Sequence, residues 1–293
     1  MAFQKATKKK ARLRLALFGP SGAGKTYTAL RIAKGIGGTV AVIDTERNTA
    51  SKYSDRFDFD AEDQVDKSID GYIRTIKEAA KANYNVLIID SITHGWQDLL
   101  QEVEKLAKAK YGGNTWSAWS EGTPKQKKLI NAILDYPGHL IVTMRSKTEW
   151  GQEAGSNGKN KPVRIGLAPE QGKGIEYEFD MLMELTTDHL GTVIKDRSSK
   201  FQDKMIEMPD EDFGKALADW LEQGEEAKPT DELRRLCRML GYTDVQLLKW
   251  LIKTFQIDPD ASLTEALNGL SQEEASRSID TFKLKIEEKE NTD

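Results

Sequence analysis

Gly19-Pro-Ser-Gly-Ala-Gly-Lys-Thr26 stands directly behind the apolar quartet Leu15-Ala-Leu-Phe18 and directly ahead of a helical stripe of Tyr27, Leu30 and Ala33. The string satisfies GxxxxGK[ST], and its place between a buried strand and an amphipathic helix separates a phosphate loop from an ordinary glycine-rich turn. Glycines let successive backbone N–H groups converge on a phosphate, and the helix N-terminus adds partial positive charge. Lys25 is placed to reach the β and γ phosphates and Thr26 to hold Mg²⁺. The expected contacts of a nucleoside triphosphate are Gly19, Pro20, Ser21, Gly22, Ala23, Gly24, Lys25, Thr26 and the adjacent Tyr27.

Working outward, the quartets Val40-Ala-Val-Ile43 and Val86-Leu-Ile-Ile89 repeat the pattern of strands buried on both faces. Helical periodicity fills 26–34 and 69–82, giving the strand–helix alternation of a parallel α/β sheet. It continues through helices over 96–110 and 125–134 and a fourth strand over 139–144. Strands over 181–186 and 192–195, joined by a polar turn, predict an antiparallel finish. Helix 212–223 closes this unit and the polar stretch after Gly224 reads as a linker. Thr243 with Gln246, Ser262 with Glu265 and Ser271 with Glu274 are capping-box patterns, which predict about four C-terminal helices. The expected organisation is a basic tail over 1–10, an α/β nucleotide-binding core over 11–224, a linker over 225–230 and a helical domain over 231–293.

Asp90 ends the third quartet, where a strand-terminal carboxylate can hold Mg²⁺ through water beside Thr26. Ser91 and Thr93 follow it. Glu46 lies just past the second strand, and ligands of open α/β sheets sit outside the carboxyl ends of strands, so Glu46 is a candidate to orient an attacking water. Taken alone, Asp90 also fits a helix cap and Glu46 a solvated loop.

The 293 residues suffice for about two domains. These apolar runs are four residues long, against the roughly 20 of a membrane span, and the basic N-terminus lacks a signal-peptide core. Cys237 is the only cysteine, and His94, His139 and His189 are scattered, which points to a cytoplasmic protein without structural zinc. With 43 basic and 47 acidic side chains the net charge is -4, so any attraction to nucleic acid must be local.

The strings Gly19–Thr26, Val40-Ala-Val-Ile-Asp-Thr-Glu46 and Val86-Leu-Ile-Ile-Asp-Ser91, with the strand ending at Thr143 and Met144, resemble the RecA-type ATPase core over about residues 11–205. The fold this implies is a RecA-like P-loop NTPase core, mostly parallel with an antiparallel edge, plus a small helical domain. The resemblance implies ATP and Mg²⁺ as cofactors and Glu46 as the water-activating base. It also implies a homo-oligomer, ring or filament, in which Lys195 and Arg197 reach a neighbour's γ-phosphate. RecA recombinases carry a glutamine where this chain has Thr143-Met144-Arg145, so nucleotide sensing falls to Thr143 or Arg145, and their N-terminal polymerisation helix is missing here. The chain resembles phage-encoded RecA-like ATPases of recombination modules, associated with single-strand annealing, more closely than RecA itself, which would place it in the host cytoplasm.

Two segments resist assignment and occupy the positions of RecA DNA-binding loops: 111–122, with Trp116 and Trp119, and 146–174. Aromatics in a glycine-rich loop suit base stacking. From 144 to 174 there are six basic residues, Arg145, Lys147, Lys159, Lys161, Arg164 and Lys173, against three acidic ones, with Trp150 among them. This combination suits a phosphate backbone, although core burial of the tryptophans and a solvated loop are open alternatives. The C-terminal stretch 228–293, with net charge -3, suits a protein partner better than DNA. The resulting expectation is an ATPase that binds single-stranded DNA and assists annealing or strand pairing. The competing one is a RecA-fold regulator or helicase-loading switch acting on a protein. Asn160-Lys161-Pro162-Val163 lacks the aspartate of a guanine-reading motif, which argues against a GTPase.

Overall fold

The computed structural model describes residues 10–154, 160–224 and 229–290. Ala11–Glu222 forms one compact unit, and the chain from Gln223 onward belongs to another. In the first unit, β1 (Arg14–Gly19), α1 (Lys25–Ile36), β2 (Val40–Asp44), β3 (Asp60–Asp63), α2 (Ile69–Lys81), β4 (Val86–Asp90) and α3 (Thr93–Lys110) follow in order. Then come α4 (Thr115–Asp135), β5 (His139–Ala154), β6 (Asn160–Pro169), β7 (Met181–Leu185), β8 (Leu190–Asp196), β9 (Met205–Glu207) and α5 (Glu211–Glu222). The sheet order is β3-β2-β4-β5-β1-β7-β8-β9, with β6 paired to β5 alone. Strands β1 to β5 and β7 run parallel in the core, whereas β8 and β9 are antiparallel. The architecture is therefore a mostly parallel α/β sheet with an antiparallel edge, as the apolar quartets require.

Alternation along β1 shows why the quartets carry no polar face. Ala16 and Phe18 enter a core shared with α2, α3 and α4, while Leu15 and Leu17 enter a second core shared with α1 and α5. With both faces covered, Gly19, Asp44 and Asp90 end β1, β2 and β4 together at the C-terminal edge of the sheet.

Most described residues of the two unassigned segments belong to regular elements. Trp116 and Trp119 lie on α4, which begins once the Asn114 side chain accepts the Ser117 N–H at 3.1 Å. The loop shrinks to a turn in which Gly112 and Gly113 take positive φ, 58° and 88°. Gly122 and Pro124 disguise the helix, yet Gly122 is where Val103 of α3 approaches: a Cβ there would lie 2.6 Å from the valine. In the second segment, 146–154 and 160–169 form a β-ribbon. β5 runs past the sheet to Ala154 and pairs with β6 in a register from Ser146↔Pro169 to Ala154↔Asn160. Its few apolar residues hide the strands from pattern reading. β3 was missed for a similar reason, because all four of its residues are exposed. Its acidic side chains discourage further pairing at that edge.

The parallel strands' other end is held by buried polar groups. His139, 7% exposed, accepts the Leu13 N–H at Nδ1 (3.2 Å), and burial, aided by Arg12 and Arg14, lowers its pKa to about 4. A neutral imidazole is thus favoured in the fold. Its contribution is complete above the ordinary pKa of 6.5 and is lost as pH falls towards 4. The loss should be on the order of 3 kcal/mol. Urea midpoints measured from pH 7 to 4 should fall more steeply for the wild type than for His139→Gln, and parallel slopes would remove this role.

The C-terminal unit contains α6 (Pro229–Met239), α7 (Asp244–Phe255), α8 (Leu263–Asn268) and α9 (Gln272–Glu290). Thr243 and Ser262 form capping boxes on α7 and α8, and Ser271 exchanges equivalent hydrogen bonds with Glu274 before α9. Leu233, Leu236, Leu247, Leu251 and Phe282 make its core. No described helix is long and apolar enough to cross a membrane.

Candidate active site

The loop between β1 and α1 closes on itself through positive φ at Gly22 (81°) and Gly24 (78°), conformations that cost glycine little. α1 starts at Lys25, and the Thr28 N–H is the first in its run to reach back, to the Gly24 carbonyl at 2.8 Å. The N–H groups of Lys25, Thr26 and Tyr27 therefore lie in the first turn of a helix, where they have no intrahelical partner and anions bind. Behind the loop, a Cβ on Gly19 would collide with the Leu185 carbonyl of β7, and one on Gly24 would lie 3.2 Å from His189 Nδ1. His189, in the β7–β8 turn, is also 3.4 Å from the Ala23 carbonyl and buttresses the loop from outside. The Tyr27 ring packs on Tyr53 and Phe57, both at 5.4 Å, so its side chain serves the core.

Lys25 folds back onto its own loop, donating from Nζ to the carbonyls of Gly19 (3.0 Å) and Pro20 (2.8 Å). Burial lowers its pKa, opposed by the charges of Asp90 and Glu46. Asp90, 3% exposed, accepts the Thr26 hydroxyl on one oxygen and the Thr143 hydroxyl on the other. Burial pushes its pKa up against those two hydrogen bonds, with Glu46 and Asp44 adding to the rise. A buried carboxylate ringed by hydroxyls, next to the buried and unpartnered Ser91 Oγ, fits a hydrated divalent cation. Thr26 and Asp90 would hold Mg²⁺, whose charge would screen the phosphates and restore the ordinary acidity of Asp90.

Glu46 is aimed by its neighbours. Asp44, fully buried, accepts the N–H groups of Glu46 (2.7 Å) and Ala50 (2.8 Å), turning the chain sharply at the end of β2. The Glu46 carboxylate pairs with Arg145 at 2.9 Å. β5 therefore carries two site residues of the same strand face, Thr143 on Asp90 and Arg145 on Glu46, immediately before the ribbon.

Lys195 and Arg197 lie elsewhere. β8 pairs Asp196 with Met181, and Met181 pairs with Leu15, so both cations sit at the N-terminal end of β1. Roughly 16 Å of strand separates them from their own phosphate loop. Lys195 Nζ donates to the carbonyls of Glu176 (2.9 Å) and Tyr177 (2.8 Å), and Arg197 reaches Asp180 at 3.4 Å.

Among the residues expected at DNA, Trp116 is 87% exposed, whereas Trp119 is half-buried and stacks on Trp96 at 5.5 Å. Lys147 Nζ approaches the Gln171 carbonyl at 3.4 Å, and Lys173 is exposed beyond the ribbon's base. Lys159 and the side chains of Trp150, Lys161 and Arg164 lie outside the described residues. Sequence reasoning passed over Asp44, Thr45, His94 and His189. Only Asp44 carried a signal, an Asx-turn aspartate two residues before Glu46.

A glycine cradle at a helix start, a lysine within it and a hydroxyl-ringed aspartate on the adjoining strand define a P-loop nucleoside triphosphatase. Residues 11–207 match the family described as the AAA domain, more than half of the chain, and the protein belongs to that family of nucleotide-binding ATPases. No curated protein matches the chain.

Proposed function

We propose that this ATPase binds single-stranded DNA and couples ATP hydrolysis to annealing or strand pairing, with the β5–β6 ribbon and the start of α4 as its DNA-contacting surface. The observation that carries the reading is the continuity of β5, which leads from Thr143 on Asp90 through Arg145 on Glu46 into the ribbon. A strand displaced at the ribbon moves the residue that holds the candidate base. Trp116 supplies an exposed ring next to the turn after α3, whose last turn carries Lys108 and Lys110. A ring so placed suits sequence-tolerant stacking.

Lys195 and Arg197, turned away from their own loop, act in this reading on a neighbouring copy's γ-phosphate. Their present hydrogen bonds to the 176–180 segment must be exchanged for that contact. Trp116→Ala should weaken binding of a labelled single-stranded oligonucleotide roughly tenfold, since stacking on one aromatic contributes about 1–3 kcal/mol per base. Anisotropy titrations at two salt concentrations measure this. Unchanged affinity with an unchanged salt slope removes Trp116 from the interface and favours a switch that acts on a protein partner.

A further inference from the structure

The Thr45 hydroxyl, 1% exposed, is the joint between the ends of β2 and β4. It accepts the Ser91 N–H at 2.9 Å and lies within reach of His94 Nδ1 at 2.6 Å, the Asp90 carbonyl at 3.1 Å and the Ser91 carbonyl at 3.3 Å. Both carbonyls already have donors. The Thr45 N–H bonds the Asp90 carbonyl at 2.8 Å, and the Tyr72 hydroxyl bonds the Ser91 carbonyl at 2.7 Å. The short hydrogen bond with His94 completes the joint, with Thr45 as donor or acceptor according to the imidazole tautomer. Burial, with the charges of Arg145 and Lys67, holds the His94 pKa below its ordinary value, against the opposing charges of Glu46 and Glu170. Gly95 belongs to the same arrangement, because a Cβ there would lie 2.8 Å from the Tyr72 ring.

Glu46 follows Thr45 directly, and the N–H of the peptide that joins them is held by Asp44. With Thr45 locked, the peptide that aims Glu46 has one orientation. Without the imidazole, the hydroxyl keeps only its longer contacts to the Asp90 and Ser91 carbonyls, at 3.1 Å and 3.3 Å, and the β2 exit loosens. We infer that His94 is a positioning residue for Glu46, acting through the Thr45 hydroxyl to fix the candidate base relative to Asp90. This rests on the reading of Glu46 as the water-orienting carboxylate.

Full-length His94→Ala, His94→Asn and His94→Gln test it, with kcat and KM for ATP hydrolysis, ADP affinity and thermal midpoint measured for each. Asparagine can place an acceptor near the position of Nδ1 and glutamine cannot. His94→Ala should lower kcat about tenfold, as misplacement of a reacting group does, while KM and ADP affinity stay within about twofold. His94→Asn should recover most of the loss and His94→Gln little. Thr45→Val, which keeps the shape and removes the hydroxyl, should reproduce His94→Ala and serves in its place if the alanine variant does not fold. In a Glu46→Gln background neither change should lower turnover further. Wild-type kcat in both His94→Ala and Thr45→Val, or equal losses of kcat and ADP affinity, would overturn the inference while leaving Glu46 in place. Wild-type turnover in Glu46→Gln alone overturns the inference together with the reading beneath it.

Discussion

Glu46→Gln is expected to reduce kcat for ATP hydrolysis by about 10²- to 10³-fold, the range of a lost general base, with nucleotide affinity close to wild type. The amide keeps the volume of the carboxylate, and the turn that aims it depends on Asp44 and Thr45. What disappears is the ability to take a proton from water and the ion pair with Arg145. That pair is partly exposed, with side-chain exposures of 44% and 36%, so its loss matters little for stability. Steady-state hydrolysis alongside titration of a fluorescent ADP analogue separates the two effects. Parallel loss of affinity and kcat would mean that Glu46 holds nucleotide and does not act on water.

The second large effect is on folding. Arg14, 6% exposed, donates to the carbonyls of Leu13 (3.0 Å), Gly138 (2.8 Å) and Leu134 (2.8 Å), and to that of Tyr136. Leu134 lies in the last turn of α4 and Tyr136 caps it, and α4 has no basic residue of its own in that turn. The guanidinium therefore satisfies helix-terminal carbonyls from a neighbouring strand and opposes the negative end of the helix dipole. Burial lowers its pKa to about 10, so the charge persists at pH 7. Arg14→Met retains apolar bulk but takes the donor from the Leu134, Tyr136 and Gly138 carbonyls, while Leu13 keeps the Leu140 N–H at 2.8 Å, and should cost about 3–5 kcal/mol. For a unit of this size that corresponds to a fall in Tm of roughly 10 °C. Thermal denaturation followed by circular dichroism measures it, and a shift below about 2 °C would show that water replaces the guanidinium without loss.

How much of this was readable in advance follows from what each feature needs. The phosphate loop is local: eight consecutive residues between a strand and a helix carry their own geometry. Asp90 and Glu46 were legible because the strands before them are buried on both faces and read as apolar runs. Where a strand has no core face, as in β3 and the ribbon beyond Arg145, periodicity is silent and the chain looks like loop. The start of α4 was obscured by Gly122 and Pro124, although Asn114-x-x-Ser117 is the spacing of a side-chain cap. Pairings across long stretches of sequence had no signal at all. Arg14 with the end of α4, Thr45 with His94, Glu46 with Arg145 and His189 against the phosphate loop are joined only when the sheet brings distant strand ends together. The tryptophans illustrate the limit in the other direction. One sequence feature covered two environments, and packing of α4 on α3 buries Trp119 against Trp96 while leaving Trp116 in solvent.

In the proposed function, β5 couples DNA at the ribbon to nucleotide hydrolysis through Asp90 and Glu46. Steady-state ATP hydrolysis measured at a single low salt concentration, alone, with a single-stranded oligonucleotide and with the matching duplex, tests it most directly. Single strands should stimulate turnover strongly, duplex weakly, and added salt should reverse the effect. Turnover that is the same in all three conditions, in a protein that still binds and hydrolyses ATP, would contradict the coupling and point to a protein as the partner of this ATPase.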